Sequence, residues 1–254
     1  MKVAIIGAGN VGTALATSIG RAGHEVIITS RDAKDAQTVA TASGARVADN
    51  SAQAVAEADV VIPAVGMSDM EALAEEIAES AAGKPVVDVT NRISFGASGP
   101  EMDTSSSNAE VISELLPDSQ VVKAFNTLFA TRQEDPIADG LQLDGYVAGD
   151  DPSAKAKVLE LVRSIGLRPI DVGPLVRARQ LEALRSDGVR VGLADAPAVL
   201  AAVREMRERV AVARPDAQIL GFSVQEQVRG EAEVIVGVRR DELLFERDRT
   251  HEVE

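Results

Sequence analysis

The sequence predicts an α/β protein, a doubly wound and mostly parallel sheet followed by a small α/β appendage. Three observations carry that expectation. Apolar runs of strand length alternate with helical patterns from the first residue to about Val172, the order that a parallel sheet covered by helices requires. The first run ends in a glycine turn that opens directly into a helix. The composition then changes after Leu184: lysine is absent beyond Lys157 while arginine stays frequent.

The 254 residues are enough for one large domain or two small ones. At 45% hydrophobic and 2% aromatic, with no Trp and one Tyr, the core has to be built from Val, Ile, Leu and Ala. No apolar run reaches the length of a membrane span. The first strand begins at Met1, so no leader is expected and the expected location is the cytoplasm. The lack of Cys excludes disulfides, thiolate catalysis and Cys-ligated metal. A formal net charge of −14 argues against nucleic acid and anionic membrane surfaces as partners, since both need a basic footprint.

In chain order, Val3 to Ile6 reads as the first strand, closed by Gly7-Ala-Gly-Asn-Val-Gly12 and followed by a helix. Gly7 permits the tight turn, Gly9 keeps a Cβ away from an approaching pyrophosphate, and Gly12 lets the helix pack on the strand. The helix that follows, read as starting at Thr13, offers N–H groups and a positive dipole end to phosphates. This is the Rossmann-like dinucleotide fingerprint in its required context. His24 to Thr29 is the second strand. An NAD-type site places an acid at its end, about 20 residues past the glycines, to bond the ribose 2′-hydroxyl. Here Thr29-Ser30-Arg31 and Lys34 stand instead, a hydroxyl, a guanidinium and an ammonium that suit a 2′-phosphate. Asp32 is expected to cap the next helix, Ala33 to Ala42. The sequence therefore favours NADP over NAD.

Ala45 to Val47 is a short strand, Ser51 to Ala58 a helix, and Asp59 to Val65 a strand whose end, Ala64 to Met67, should lie over the cofactor. Ser68 is expected to cap a helix to about Ser80, with Met70, Leu73, Ile77 and Ala81 on its apolar face. Lys84 to Asn91 is the fifth strand. Arg92 to Ser107, rich in Ser, Gly and Pro, reads as a long loop. Asn108 to Leu116 is helical, Gln120 to Asn126 is the sixth strand, and Leu143 to Gly149 the seventh. A helix opens at Asp151-Pro152, its apolar face expected at Ala156, Leu159, Val162 and Ile165. Arg168 to Val172 is the eighth strand, and Leu175 to Leu184 a short helix.

The motifs GAGNVG at Gly7, TSRDAK at Thr29, DVVIPAV at Asp59, DVTN at Asp88, VVKAFNTLFA at Val121 and VAGDDPSAKAKVLELVRSIGLRPIDVGPL at Val147 occur in this order. Over about residues 1–184 the chain thereby resembles the NADP-dependent oxidoreductases of the deazaflavin coenzyme F-420. That resemblance implies reversible hydride transfer between NADP(H) and F-420, and a homodimer. It further implies that Gly7, Gly9, Asn10, Val11 and Gly12 hold the pyrophosphate and that Ser30, Arg31 and Lys34 hold the 2′-phosphate. Ala64, Val65, Asn91 and Asn126 would lie on the nicotinamide side. Hydride transfer between stacked rings needs positioning more than an acid or base, and no catalytic side chain is assigned. The two histidines, His24 and His251, do not fall at strand ends facing the cofactor, and no metal site is expected.

Residues 185–254 depart from that family. Ala196 to Ala213 reads as an amphipathic helix with Val199, Val203, Met206 and Val210 on one face. Ile219 to Val228 and Ala232 to Val238 read as two strands joined by Arg229-Gly-Glu231. GFSVQEQVRG at Gly221 and EVIVGVRRD at Glu233 resemble a fragment of the ATP-grasp domain of ADP-forming acyl-CoA synthetases. Glu226 and Glu233 would match positions near the nucleotide there. With no phosphate-covering loop upstream and no metal-binding carboxylate cluster downstream, the fragment is read as a fused remnant without ATP-grasp catalysis. Two further readings stand beside the F-420 one. A reductase of the β-hydroxyacid or pyrroline carboxylate kind would need a large helical second domain, and a non-catalytic NADP-binding module would follow from the changed carboxyl terminus.

Overall fold

β1 (Lys2–Ile6) lies inside the principal sheet because it is apolar on both faces: Val3, Ala4 and Ile5 are fully buried. Around it, the computed structural model describes residues 1–92, 94–96, 99–101, 105–138, 141–183, 189–192, 227–228 and 233–236. The chain divides into two compact units, one of Met1–Arg92 with Ser105–Glu182 and one of Ile93–Thr104 with Ala183–Glu254.

In the first unit, α1 (Asn10–Arg21), β2 (Glu25–Thr29), α2 (Ala33–Ser43), β3 (Arg46–Val47), α3 (Ser51–Glu57), β4 (Val60–Pro63), α4 (Met67–Ala81) and β5 (Pro85–Asp88) follow β1 in strict alternation. After two strands that belong to the second unit, β6 (Ser94–Gly96) and β7 (Gly99–Glu101), come α5 (Asn108–Leu115) and β8 (Gln120–Lys123). α6 (Ala130–Glu134), the small hairpin β9 (Ile137–Ala138) and β10 (Leu141–Gln142), β11 (Asp144–Gly149), α7 (Pro152–Ser164) and β12 (Arg168–Gly173) lead to a 3-10 turn, Leu175–Arg177, and α8 (Ala178–Ala183). The eight-stranded sheet runs β12-β11-β8-β5-β4-β1-β2-β3. Its neighbours are parallel except β8 and β11, which pair antiparallel. All eight strands read from the sequence are members of it.

Alternation along β1 divides the core. Val3 and Ile5 pack with Leu15 and Ile19 of α1, Val39 of α2 and Val158 and Leu161 of α7. On the opposite face Val61, Val86 and Val121 meet Met70, Leu73 and Ile77 of α4, Ile112 of α5, Leu175 and Ala178. Ala4 and Ile27 meet Ala54 of α3. Between β1 and β4 the strand order reverses, and ligands of open α/β sheets bind beyond the carboxyl ends at such a point.

Several local expectations change. α4 begins at Met67 with Gly66 as its cap, two residues ahead of Ser68, because Asp69 N–H already bonds the Gly66 carbonyl at 3.0 Å. α7 buries Ala154, Val158, Leu161, Val162 and Ile165, whereas Ala156 is exposed and Leu159 half-buried. Its face is set by β11: a Cβ on Gly145 would lie 2.4 Å from Val162 Cγ1, so that valine must point at the strand. Tyr146, in β11, is buried, and burial followed by the Asp144 charge pushes its phenol well above 10.0.

The stretch read as a loop, Arg92 to Ser107, holds β6 and β7, paired antiparallel through Ser94↔Glu101. In the second unit they join β13 (Val189–Gly192), β14 (Gln227–Val228) and β15 (Glu233–Val236) in the order β14-β15-β13-β7-β6. β14 and β15 pair antiparallel within the two strands expected of the tail. The helix expected from Ala196 to Ala213, the turn at Arg229 to Glu231, Glu226 and His251 lie outside the described residues.

Candidate functional site

The glycine turn closes onto the ends of three strands. Gly7 N–H donates to the Thr29 carbonyl at 2.8 Å, and Ala64 N–H to the Ile6 carbonyl at 2.8 Å. Gly7 sits at φ +113°, in the region that favours glycine, and a Cβ there would lie 2.4 Å from the Ala64 carbonyl oxygen. A Cβ on Gly12 would lie 2.0 Å from the Gly7 carbonyl oxygen and 3.4 Å from Ala64 Cβ. The same Cβ on Gly7 would lie 3.4 Å from Val65 Cγ1, so Ala64 and Val65 flank the turn.

Gly9 differs: nothing lies within 4 Å of where its Cβ would stand. It caps α1 without any side-chain hydrogen bond, and the first turn of α1 carries no acid. Asn10 is exposed and Val11 half-buried at this end. An uncapped helix start behind an open glycine is a cradle for a phosphate, since N–H groups and dipole both point outward with no Cβ in the way. These residues fit a dinucleotide pyrophosphate.

At the end of β2, Asp32 caps α2 as expected, accepting Lys34 N–H at 2.8 Å. Its carboxylate is thereby directed at backbone. Ser30 is half-buried; Arg31 and Lys34 are exposed, a group of donors that fits a phosphomonoester. Arg31, its side chain 87% exposed, places Nη1 3.0 Å from Asp69 Oδ1 in the first turn of α4. Asp69 has no signal in sequence, because 38 positions separate it from its partner.

Along the sheet, the ends of β5 and β8 bring Asn91 and Asn126 together. Asn126 Nδ2 donates to Asn91 Oδ1 at 2.8 Å and to the Leu181 carbonyl at 2.9 Å, and Asn91 Nδ2 donates to the Asn126 carbonyl at 3.2 Å. Phe125 just before it adopts φ 63°, a left-handed conformation rare for an aromatic residue. Its carbonyl is held by Gln133 Nε2 at 3.0 Å, and the bend takes the chain out of β8 toward Asn91. Beneath the asparagines lies a buried ionic cluster that sequence reasoning missed. Lys123 Nζ is 2.7 Å from both Asp88 Oδ2 and Glu182 Oε1, and none of the three side chains is more than 1% exposed. Burial pushes the Glu182 carboxyl upward, against the pull of Lys123. Lysine at the end of an apolar strand was the available signal, since an unpaired buried ammonium is not tolerated.

His24 stays away from these strand ends. It lies before β2, its Nδ1 3.2 Å from the terminal amine and its Nε2 2.8 Å from Ser164 Oγ. Burial, then the neighbouring terminal charge, lowers its pKa. Among the described residues no group of three or more His, Cys, Asp or Glu could hold a metal, and no helix is long and apolar enough to cross a membrane.

Residues 2–92 match the family described as NADP oxidoreductase, coenzyme F-420-dependent, and residues 179–244 match the ATP-grasp domain family. The F-420-dependent NADP reductase of Methanothermobacter marburgensis is 32% identical over 199 residues, spanning 72% of this chain and 88% of that one. Metalloreductase STEAP3 of Rattus norvegicus is 32% identical over 183 residues, 72% of this chain; the chain spans only 36% of the length of that relative. A solved structure from Arthrobacter sp. FB24, assigned as an F-420-dependent NADP reductase, superposes with a TM-score of 0.65 at 32% identity, covering 72% of this chain and 89% of its own. A pyrroline-5-carboxylate reductase from Coxiella burnetii, at 16% identity and a TM-score of 0.55, shares the fold alone. With 32% of the aligned residues identical over 88% of the Methanothermobacter reductase, the chain belongs to the coenzyme F-420-dependent NADP oxidoreductase family.

Proposed function

We propose that the chain transfers hydride between NADP(H) and the deazaflavin coenzyme F-420. The observation that carries the reading is the α1 start, uncapped behind a glycine whose Cβ position is open, with Arg31 and Lys34 at the end of the next strand. The coenzymes supply the chemistry: a hydride passes from the dihydronicotinamide to the deazaflavin, with one proton taken from solvent.

The protein's part is to bind, orient and exclude water. First-turn N–H groups of Asn10, Val11 and Gly12 bind the pyrophosphate. Ser30, Arg31 and Lys34 bind the 2′-phosphate, with Arg31 leaving Asp69 to do so. Ala64, Val65, Asn91 and Asn126 would lie on the nicotinamide side. No acid or base is required of the chain, and His24 lies before β2, away from these strand ends. A homodimer and a cytoplasmic location belong to the same reading, by likeness to the family. Residues 1–184 are the oxidoreductase domain in this account, and residues 185–254 a fused ATP-grasp remnant.

Purified protein mixed with NADPH and oxidised F-420 should bleach the deazaflavin absorbance, with NADH much less effective. The ATP-grasp match over residues 179–244 favours a second reading, an NADP-binding module that reduces nothing. Tight NADPH binding without bleaching, or with bleaching only of another flavin, would select that reading or a different acceptor over F-420.

A further inference from the structure

The peptide groups on both sides of Asn91 are tied to one buried charge cluster. Lys123 is fully buried and directs its three N–H bonds to Asp88 Oδ2 at 2.7 Å, the Thr90 carbonyl at 2.5 Å and Glu182 Oε1 at 2.7 Å. The Thr90 carbonyl belongs to the peptide group entering Asn91. The N–H of the group leaving it, that of Arg92, donates to Glu182 Oε2 at 3.0 Å. Asp88 Oδ1 accepts the Thr90 N–H and hydroxyl, each at 2.8 Å. Glu182 also accepts Asn108 N–H at 3.0 Å, and Asn108 Nδ2 donates to Thr90 Oγ1 at 2.9 Å. Two fixed peptide planes leave the intervening residue no backbone freedom, so Asn91 is presented to Asn126 in a single pose. Asn126, held in turn by Leu181 just before Glu182, keeps its Oδ1 buried with no hydrogen-bond partner among the described residues. That atom is an acceptor suited to an amide N–H.

Stability does not account for the cluster. A buried ionic triad is often no more stabilising than packed hydrocarbon of the same volume. Its distinctive result is geometric.

We propose that Lys123 and Glu182 are positioning residues for hydride transfer: with Asp88 they clamp both peptide groups of Asn91, so that the Asn91–Asn126 pair receives the nicotinamide carboxamide at Asn126 Oδ1 and sets the face of the ring. The proposal rests on the reading of this edge as the nicotinamide side. The clamp acts through Asn91 and touches no reacting atom.

The test compares the native chain with Lys123→Met, and with Lys123→Met/Asp88→Asn/Glu182→Gln, which strands no charge if the single variant fails to fold. Amide hydrogen exchange without cofactor should show Thr90 and Arg92 losing protection in the variants. NADPH affinity should stay within about threefold, because phosphate contacts dominate it. Single-turnover hydride transfer should fall about 100-fold, the scale of a misplacement near 1 Å. Transfer from NADPH deuterated on one or the other ring face should lose its selectivity. Asn91→Ala should give the same losses, and adding it to the triple variant should cost little more. Native rate and face selectivity in the folded triple variant would overturn the proposal, as would NADPH affinity falling in step with transfer. If the native chain itself transfers no hydride to F-420, the functional reading fails instead, and the exchange and affinity measurements tell the two failures apart.

Discussion

Gly9→Ala separates folding from cofactor binding. Gly9 lies at φ −76° and ψ −173°, extended backbone that alanine adopts freely, and its Cβ would meet nothing within 4 Å. As a helix cap alanine is worse than glycine by about 0.5–1 kcal/mol, while the stiffer unfolded chain returns about 0.4–1 kcal/mol. The two nearly cancel, so Tm should move by no more than about 2 °C. The methyl would instead stand where the pyrophosphate has to approach the α1 N–H groups. Overfilling a packed contact costs about 1–3 kcal/mol, which is about 5- to 150-fold in Kd. Thermal unfolding without cofactor and a fluorescence titration with NADPH read the two quantities. Gly12→Ala is the contrasting control: its Cβ would lie 2.0 Å from the Gly7 carbonyl oxygen, so it should destabilise the fold itself. The cradle argument is refuted if Gly9→Ala binds NADPH as the native chain does, or melts more than about 5 °C lower.

With Arg31 on the 2′-phosphate as proposed, Arg31→Ala would remove hydrogen bonds to a charged group, so NADPH should bind about 10- to 150-fold more weakly while NADH is unaffected; equal losses for both would remove the 2′-phosphate assignment. Asp69→Asn releases Arg31 from its exposed ion pair, and NADPH should tighten by at most about fivefold, less in high salt. Unchanged affinity at low ionic strength would mean that Asp69 does not compete. Burial pushes the Glu110 carboxyl up, but the bonds from Arg179 and Ser107 outweigh it and hold the group below 4.5. Its stabilisation is therefore complete above pH 4.5 and is lost as pH falls through the lower folded value. Glu110→Gln should lower Tm at neutral pH, with the gap closing as pH falls below 4.5 through the lower folded value; a gap independent of pH would contradict this.

The principal sheet is legible in the sequence because its strands are buried on both faces and read as unbroken apolar runs. Helix starts are legible where a side chain performs the capping, as at Asp32 and Asp151, and not at Gly66, where backbone alone begins the helix. The face of α7 is only half legible, Val162 and Ile165 being buried as expected and Ala156 and Leu159 not, because helical spacing gives a period without an origin. The origin is set across space by Gly145, which admits Val162. The same limit hid the charged clusters. Lys123 stands 35 positions from Asp88 and 59 from Glu182, and their pairing is a property of strand order and of where α8 brings Glu182. β6 and β7, three residues each and rich in Gly and Pro, carry no alternation long enough to register as strands.

Tyr146 has an optical consequence. It is the sole tyrosine of a chain without tryptophan, so the protein is nearly dark in the near ultraviolet and cofactor emission is free of energy transfer from indole. Its phenol is held neutral well past 10.0 while β11 is intact, a contribution to stability that is complete below that pH and lost as alkalinity passes the folded value. In alkali the phenolate band therefore rises later than that of a free phenol, and loss of the strand that reverses the sheet direction brings it forward. One ring serves as a gauge of that edge, with no label attached.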